Sequence, residues 1–83
     1  MEKGILYFSA PWCGPCKVLG PTMERLASEL PITKINVDED NTTSAKYGIR
    51  NIPTLILIDG AGKEVNRLVG NVSEQQIKQF YNG

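Results

Sequence analysis

A strand, an amphipathic helix and a second strand follow one another within about thirty residues early in the chain, and this order restricts the possible folds most. Ile5–Phe8 is a continuous apolar run, as in a buried strand. Apolar residues then recur every three or four positions over 19–30, which predicts a helix that ends at Pro31. Ile32–Val37 is rich in β-branched residues and predicts the second strand. Two strands joined in this way are parallel, with a right-handed crossover.

The second half of the chain predicts a short helix, a β-hairpin and a final helix. The short helix covers Thr43–Tyr47. Thr54–Ile58 is another buried strand, and the turn sequence DGAG leads from it into an antiparallel strand over 63–69. Ser73 is a predicted N-cap, and Gln76 completes a capping box for the last helix. The order βαβ, short α, ββα indicates an α/β fold.

The length and charge of the chain limit its architecture and its partners. With 83 residues we expect a single domain over 1–83. Nine Lys and Arg balance nine Asp and Glu without a long run of either sign, so neither nucleic-acid nor membrane binding is indicated. The acidic segment Asp38–Asp40 is interpreted as a solvated loop. The apolar run Ile5–Phe8 is too short for a signal-peptide core or a membrane span, so we expect a cytoplasmic protein.

The two cysteines, Cys13 and Cys16, have three possible uses. A disulfide between residues three apart closes a small loop and stabilises a fold by only about 2 kcal/mol. A structural zinc site usually has four Cys or His ligands, and the chain has two cysteines and no histidine, so we expect no metal site within one copy. A cluster shared between two chains stays open. Because cytosolic reductants keep thiols reduced, the pair favours redox chemistry.

The position of the pair gives each cysteine a role. The pair follows the first strand and opens the helix, where unpaired amides and the helix dipole favour a thiolate. Gly14 allows close approach of a partner, and Pro15 lacks only an amide hydrogen that the first turn leaves unpaired. The apolar stripe, counted back from Leu26, reaches Cys16, so Cys16 is predicted to face the core and Cys13 to be accessible. We therefore predict that Cys13 attacks a substrate disulfide and that Cys16 resolves the mixed disulfide.

The segment WCGPCK, residues 12–17, resembles the active site of the thioredoxin family, and the resemblance covers nearly the whole chain. Pro21 lies five residues after the second cysteine, as the kink proline of that family does. YGIRNIPTL at 47–55 resembles the family segment that carries a cis-proline, KINVDED resembles the strand before it, and Gly70 matches a glycine of the substrate-facing loop. The resemblance implies a thioredoxin-like fold, in which a four-stranded mixed sheet of order 2-1-3-4 has helices on both faces.

The same resemblance implies a docking surface around Cys13. It implies a cis bond between Ile52 and Pro53, although only about 5% of X-Pro bonds are cis in folded proteins. The Ile52 backbone would then be free to pair with an extended substrate, and Trp12, Ile52, Pro53 and Gly70 would form the docking surface. From the residues alone, Trp12 is interpreted as a stray exposed aromatic and Gly70 as an ordinary turn glycine.

The chain departs from the family pattern at two places. Thioredoxins usually begin with an additional strand and helix, so this chain resembles a minimal, glutaredoxin-sized version with Ile32–Val37 at the sheet edge. Tyr7 stands where family members commonly have a buried aspartate, proposed to help take the proton of the second cysteine. Because a phenol with a pKa near 10 is a poor acceptor, we expect Cys16 to lose its proton to water or to the departing Cys13 thiolate. Lys34 matches the family lysine near that acid, and without the aspartate it is interpreted as a surface residue.

These observations predict a monomeric thiol-disulfide oxidoreductase that reduces protein disulfides and has no cofactor beyond its own cysteine pair. Gly14, Pro15, Tyr7 and Lys34 are the expected supporting residues. The expected partners are disulfide-containing proteins and a thioredoxin-reductase-like flavoenzyme, through which NADPH acts indirectly.

Two alternatives stay open. The first is a glutaredoxin-like protein recharged by glutathione, although the chain reads LVGNVSE where the Gly-Gly-Asp type of glutathione-binding segment would stand. The second is a binding module of this fold that clamps a partner enzyme without turnover.

Overall fold

The order of helices and strands matches the prediction. The structure is a computed structural model and describes residues 3–83, so Met1 and Glu2 of the expected 1–83 domain lie outside the described residues. The elements of the described part are β1 (Gly4–Ser9), α1 (Gly14–Leu26), β2 (Ile32–Asn36), α2 (Asn41–Lys46), β3 (Thr54–Ile58), β4 (Glu64–Val69) and α3 (Glu74–Asn82).

The four strands form one mixed sheet in the order β2-β1-β3-β4, which confirms the implied topology. β1 lies parallel to β2, with Tyr7 opposite Lys34, and the helical crossover between them makes this the βαβ unit. β1 is antiparallel to β3, and β3 is antiparallel to β4. The sheet therefore has β2 at one edge and the β3–β4 hairpin at the other, and the carboxyl end of the central strand β1 leads directly to the cysteines.

Helices cover both faces of the sheet, as the resemblance implies. The layer beneath α1 and α3 contains Ile5, Tyr7, Leu19, Met23, Leu26, Leu55, Leu57, Ile77 and Phe80. On the opposite face, the segment that follows α2 packs with Tyr47, Ile49 and Ile52 against the buried residues Phe8, Ile35, Ile56 and Ile58. Because β1 and β3 are covered on both faces, their sequences are continuous apolar runs rather than alternating ones.

The predicted end of α1 at Pro31 is wrong, since the helix ends at Leu26. The hydroxyl of Ser28 donates a hydrogen bond of 2.9 Å to the carbonyl of Arg25, and such side-chain bonds compete with helix continuation. Leu30 nevertheless stays packed against the core, because its amide donates a hydrogen bond of 2.8 Å to the carbonyl of Leu26. The apolar spacing thus continues through a turn that is no longer helical.

The helix caps confirm the predicted start of the last helix and correct the interpretation of one loop. The Ser73 and Gln76 capping box is present at the start of α3, as predicted. Asp40 is not simply part of a solvated loop, because its Oδ1 accepts a hydrogen bond of 3.0 Å from the Thr43 amide and caps α2. That hydrogen bonding lowers the pKa of the Asp40 carboxyl.

None of the helices within residues 3–83 is long and apolar enough to cross a membrane.

Candidate active site

The cysteine pair lies where β1 passes into α1. The amide of Cys13 donates to the Ala10 carbonyl at 3.2 Å, which makes the tight turn after β1, and Cys13 is the N-cap of α1. Cys16 lies in the first turn of the helix and forms a disulfide with Cys13, with the two Cα atoms 5.2 Å apart. A strand end and a helix start therefore fix both cysteines, as the sequence predicts.

The first turn of α1 favours negative charge on Cys13. The Cys16 amide donates a hydrogen bond of 3.2 Å to the Cys13 sulfur, so an amide that would otherwise be unpaired is aimed at this atom. Pro15 lies in the same turn, and no acidic residue lies there. Gly14 is exposed, and a Cβ atom on it would meet no other atom within 4 Å. These features stabilise a thiolate at Cys13 once the disulfide is reduced.

The predicted difference in exposure between the two cysteines is wrong for the oxidised protein. Cys13 and Cys16 are each 5% exposed, and Cys16 faces inwards as predicted. Val37 and Ile52 pack against the cysteine pair and cover Cys13 as well. The difference between the cysteines is therefore one of position, at the cap and inside the first turn, because long-range packing removes the difference in exposure.

The segment before β3 lies against the cysteine pair. The Ile52–Pro53 bond is cis, as the resemblance implies. The carbonyl oxygen of Ile52 lies 3.7 Å from the Cys13 sulfur. Within residues 3–83 the backbone of Ile52 makes no backbone hydrogen bond, so its N–H and C=O are available to an added strand.

Gly70 also contacts the segment that contains the cis bond before Pro53. Its amide donates a hydrogen bond of 2.8 Å to the carbonyl of Pro53, which is fully buried. Gly70 has a φ of +89°, a conformation that favours glycine, whereas a Cβ atom there would meet nothing within 4 Å. The glycine is thus required by the backbone conformation and not by crowding.

Trp12 is an exposed aromatic beside the cysteines with one fixed contact. The residue is 66% exposed, and its Nε1 donates a hydrogen bond of 2.7 Å to Oδ2 of Asp38. Asp38 is exposed, as expected for a solvated loop, and it also holds the Trp12 ring. No sequence signal pointed to this pair, because the two residues are 26 positions apart and neither belongs to a periodic pattern.

Comparison with known proteins agrees with this geometry. The family model for thioredoxin matches residues 1–83. The chain belongs to the thioredoxin family. It is 44% identical over 82 residues to a thioredoxin of Haemophilus influenzae, covering 94% of this chain and 76% of that protein. It is 47% identical over 80 residues to thioredoxin 2 of Chlorobaculum tepidum, covering 92% of this chain and 72% of the relative.

Solved thioredoxin structures share the fold. A mutant thioredoxin from Halobacterium salinarum superposes with a TM-score of 0.86 at 36% identity, covering 98% of this chain and 73% of that one. Reduced thioredoxin pre-protein of Schistosoma mansoni also superposes with a TM-score of 0.86, at 31% identity, covering 98% of this chain and 77% of that one. Family membership together with the disulfide-bonded cysteine pair makes this chain a protein-disulfide oxidoreductase.

Tyr7 occupies the position at which members of the thioredoxin family commonly have a buried aspartate. It is 3% exposed, and its hydroxyl donates a long hydrogen bond of 3.4 Å to the Cys16 carbonyl. Burial raises the pKa of the phenol, the Ser9 side chain lowers it, and the negative charge of Glu24 raises it. Tyr7 is thus a neutral group near Cys16, even less able to accept a proton than an ordinary phenol.

Lys34 lies opposite Tyr7 in the parallel register and is exposed at the sheet edge. It makes no salt bridge among residues 3–83. Lys34, Tyr7 and Cys16 nevertheless line one open cavity of about 340 Å³. The structure therefore brings both predicted supporting residues to the cavity beside Cys16.

No group of three or more His, Cys, Asp or Glu residues within 3–83 is arranged to hold a metal ion.

Proposed function

We propose that this chain reduces disulfides of other proteins, with Cys13 as the attacking thiolate and Cys16 as the resolving thiol. The observation that carries the proposal is the position of the Cys13 sulfur, which receives the Cys16 amide at 3.2 Å and lies 3.7 Å from the Ile52 carbonyl. An activated sulfur thus lies directly beside backbone groups that are free to hold an extended substrate.

The proposed reaction has two exchange steps. The Cys13 thiolate attacks one sulfur of the substrate disulfide, forms a mixed disulfide and releases the other sulfur as a thiolate. Cys16 then loses its proton and attacks the Cys13 sulfur, which forms the Cys13–Cys16 disulfide and releases the second substrate sulfur. The substrate gains two electrons and the dithiol of this chain loses two.

Trp12, Ile52, Pro53 and Gly70 are the proposed docking surface for the substrate. Support comes from the exposed ring of Trp12, the unpaired backbone of Ile52 and the Gly70–Pro53 hydrogen bond, which holds the substrate-facing loop against the cis bond. Specificity would then rest on an extended backbone and on apolar contact with the indole ring.

The proposed reductant is a thioredoxin-reductase-like flavoenzyme that takes its electrons from NADPH. In this proposal the chain works as a monomer, and its only redox group is the cysteine pair. The Gly-Pro sequence between the cysteines supports this choice, since it resembles the reducing members of the family. The cytoplasm stays the proposed location, because a reactive dithiol must be kept reduced between turnovers.

Glutathione is the rival reductant. The segment LVGNVSE begins in the last two residues of β4. It argues against glutathione, because it lacks the Gly-Gly-Asp type of glutathione-binding segment. A binding module without turnover is the remaining alternative, and it differs in requiring neither cysteine to react.

Reduction of insulin disulfides distinguishes these possibilities. The chain is assayed once with NADPH and a thioredoxin reductase and once with glutathione, glutathione reductase and NADPH. We expect turnover in the first system and none after Cys13→Ser, whereas Thr42→Ser, an exposed change in α2, should keep full activity. Turnover with glutathione alone would refute the proposed reductant, and no turnover in either system would favour a binding module.

A further inference from the structure

The open cavity beside Cys16 is separate from the docking surface. It has a volume of about 340 Å³, and its lining includes Tyr7, Cys16, Gly20, Glu24 and Lys34. None of the four proposed docking residues lines it. A smaller cavity of about 100 Å³ shares Tyr7, Gly20, Glu24 and Lys34 with it, so the space continues along α1. The proposed resolving cysteine therefore has its own access to solvent, away from the substrate.

The ionisable groups that line this cavity come from three elements. β1 contributes Tyr7, β2 contributes Lys34, and α1 contributes Lys17 and Glu24 besides Cys16 itself. The two lysines are cations without an acceptor site, and the buried phenol is neutral. The carboxylate of Glu24 is the one anionic side chain in the described lining of the cavity.

We propose that Glu24 accepts the proton of Cys16 through water in this cavity during the resolving step. The inference rests on the proposed role of Cys16 as the resolving thiol. The phenol of Tyr7 is not suited to accept the Cys16 proton. Glu24 carries a carboxylate and faces solvent on α1.

The helix geometry supports a water-mediated path. Cys16, Gly20 and Glu24 are spaced four residues apart on α1 and therefore lie along one side of the helix. Eight residues correspond to about 12 Å along the axis, so direct contact between Cys16 and Glu24 is excluded and water must bridge the gap. The cavity opens to solvent and has polar groups of Tyr7, Glu24 and Lys34 in its lining. It is large enough for a chain of several water molecules, since each occupies about 30 Å³ in the liquid.

Gly20 keeps this path open. It lines both cavities between Cys16 and Glu24, and a Cβ atom on it would meet no other atom within 4 Å. A larger side chain at this position would therefore occupy the open space without forcing the backbone to move.

An electrostatic effect independently indicates that the Glu24 charge acts in this region. Burial is the largest cause of the raised pKa of Tyr7, and the negative charge of Glu24 also raises it. The carboxylate is therefore close enough to act on the hydroxyl that donates to the Cys16 carbonyl.

The proton and electron changes balance. The Cys16 thiol gives its proton through water to the Glu24 carboxylate, and the resulting Cys16 thiolate attacks the Cys13 sulfur of the mixed disulfide. The Cys13–Cys16 bond forms, and the bond between Cys13 and the substrate sulfur breaks. The substrate leaves as a thiolate, and the protonated Glu24 returns its proton to solvent.

Stopped-flow reaction of the reduced protein with the chromogenic disulfide dithiobis-nitrobenzoate separates the two steps. Attack by Cys13 releases a first coloured thiolate, and closure by Cys16 releases a second. In Glu24→Gln we expect an unchanged first phase and a second phase slowed about tenfold near pH 7. This reduction is smaller than the rate factor that a general base in direct contact usually contributes. The rate of the second phase should then rise in proportion to hydroxide between about pH 6 and pH 8, below the ordinary thiol pKa, because only the free thiolate reacts.

Three variants make the comparison specific. Glu24→Asp keeps a carboxylate and should recover part of the rate, and Gly20→Leu should slow the second phase by filling the cavity. Glu29→Gln removes an exposed carboxylate elsewhere and should change neither phase.

The direction in which Glu24→Gln changes the rate of the second phase distinguishes a proton acceptor from a residue that acts only through its charge. Removing a nearby negative charge favours the Cys16 thiolate, so a purely electrostatic role predicts a faster second phase in Glu24→Gln. A faster or unchanged second phase with the wild-type pH profile overturns the inference. A second phase that survives Cys16→Ser would instead refute the proposed function, and the inference with it.

Discussion

The backbone amide of Cys16 donates a hydrogen bond of 3.2 Å to the sulfur of Cys13. The residue proposed to resolve the mixed disulfide thus also stabilises charge on the residue proposed to attack. Since the helix dipole acts in the same direction, the sequence order of the two cysteines sets their chemical order.

The first prediction concerns the pKa of Cys13. In the reduced protein we expect Cys13 to be alkylated first, with a pKa below the ordinary thiol value of about 8.5. Gly14→Asp adds a negative charge to the first turn and should raise that pKa by about half a unit. The pH dependence of alkylation by iodoacetamide measures it. Ser28→Asp, just beyond the other end of α1, is the matched control, and an equal shift in both variants would contradict the local effect.

The second prediction concerns Tyr7. Because burial raises the pKa of its phenol, Tyr7→Phe should leave the pH profile of insulin reduction unchanged. Tyr7→Asp places a titrating carboxyl beside Cys16 and should change that profile, while lowering stability through loss of buried ring contacts. An altered profile in Tyr7→Phe, or an unaltered one in Tyr7→Asp, would count against the account of the resolving step.

The third prediction concerns Gly70. Its φ of +89° makes alanine strained by about 1–2 kcal/mol, and this strain should disturb the hydrogen bond of 2.8 Å to Pro53. We expect Gly70→Ala to lower the free energy of unfolding and to raise the KM for insulin several-fold. Gly48→Ala is the control, since Gly48 has a φ of +62° and equal space but lies outside the proposed docking surface. An equal rise in KM in both variants would remove the docking role of Gly70.

Particular residues show how far the sequence predicts this fold. The runs in β1 and β3 are apolar throughout because both faces are covered, so these strands were predicted within two residues of their ends. The end of α1 was missed because Leu30 keeps its core contact after the helix has ended. Apolar spacing in a sequence indicates which residues contact the core, and this contact continues through the turn after α1.

The candidate site likewise has features that the sequence predicts and features that it does not. The cysteines and their cap position follow from local sequence, because a strand end and a helix start are local features. The Trp12–Asp38 hydrogen bond and the covering of Cys13 by Ile52 depend on residues 26 and 39 positions apart. Contacts of that kind leave no periodic signal, and the cis bond before Pro53 was expected only through the family resemblance.

The fourth prediction concerns acid stability. Arg67 donates hydrogen bonds of 2.6 and 2.7 Å to Glu64 and one of 2.6 Å to the Tyr47 carbonyl, which joins the segment after α2 to β4. The hydrogen bonds from Arg67 lower the pKa of Glu64, and partial burial opposes them. Because the folded pKa is the lower one, the stabilisation is complete above the unfolded value of 4.5 and is lost as the pH falls through the folded value.

Urea unfolding of Glu64→Gln measures this contribution. We expect a loss of about 0.5–1 kcal/mol near pH 7 and a smaller loss near pH 3, because protonation of the wild-type carboxyl increases as the pH falls. Glu39→Gln removes an exposed carboxylate that makes no salt bridge within residues 3–83 and should cost nothing at either pH. An equal loss at both pH values would show that the carboxylate charge of Glu64 is not the cause.

The most direct test of the central claim is to trap the mixed disulfide and map it by peptide mass spectrometry. Reduced Cys16→Ser and Cys13→Ser proteins are each mixed with a disulfide-bonded protein substrate, and the attached cysteine is identified. The account predicts a stable adduct on Cys13 in Cys16→Ser and little adduct in Cys13→Ser. Adducts that accumulate on Cys16 in the Cys13→Ser protein, with none on Cys13 in the other variant, would contradict it.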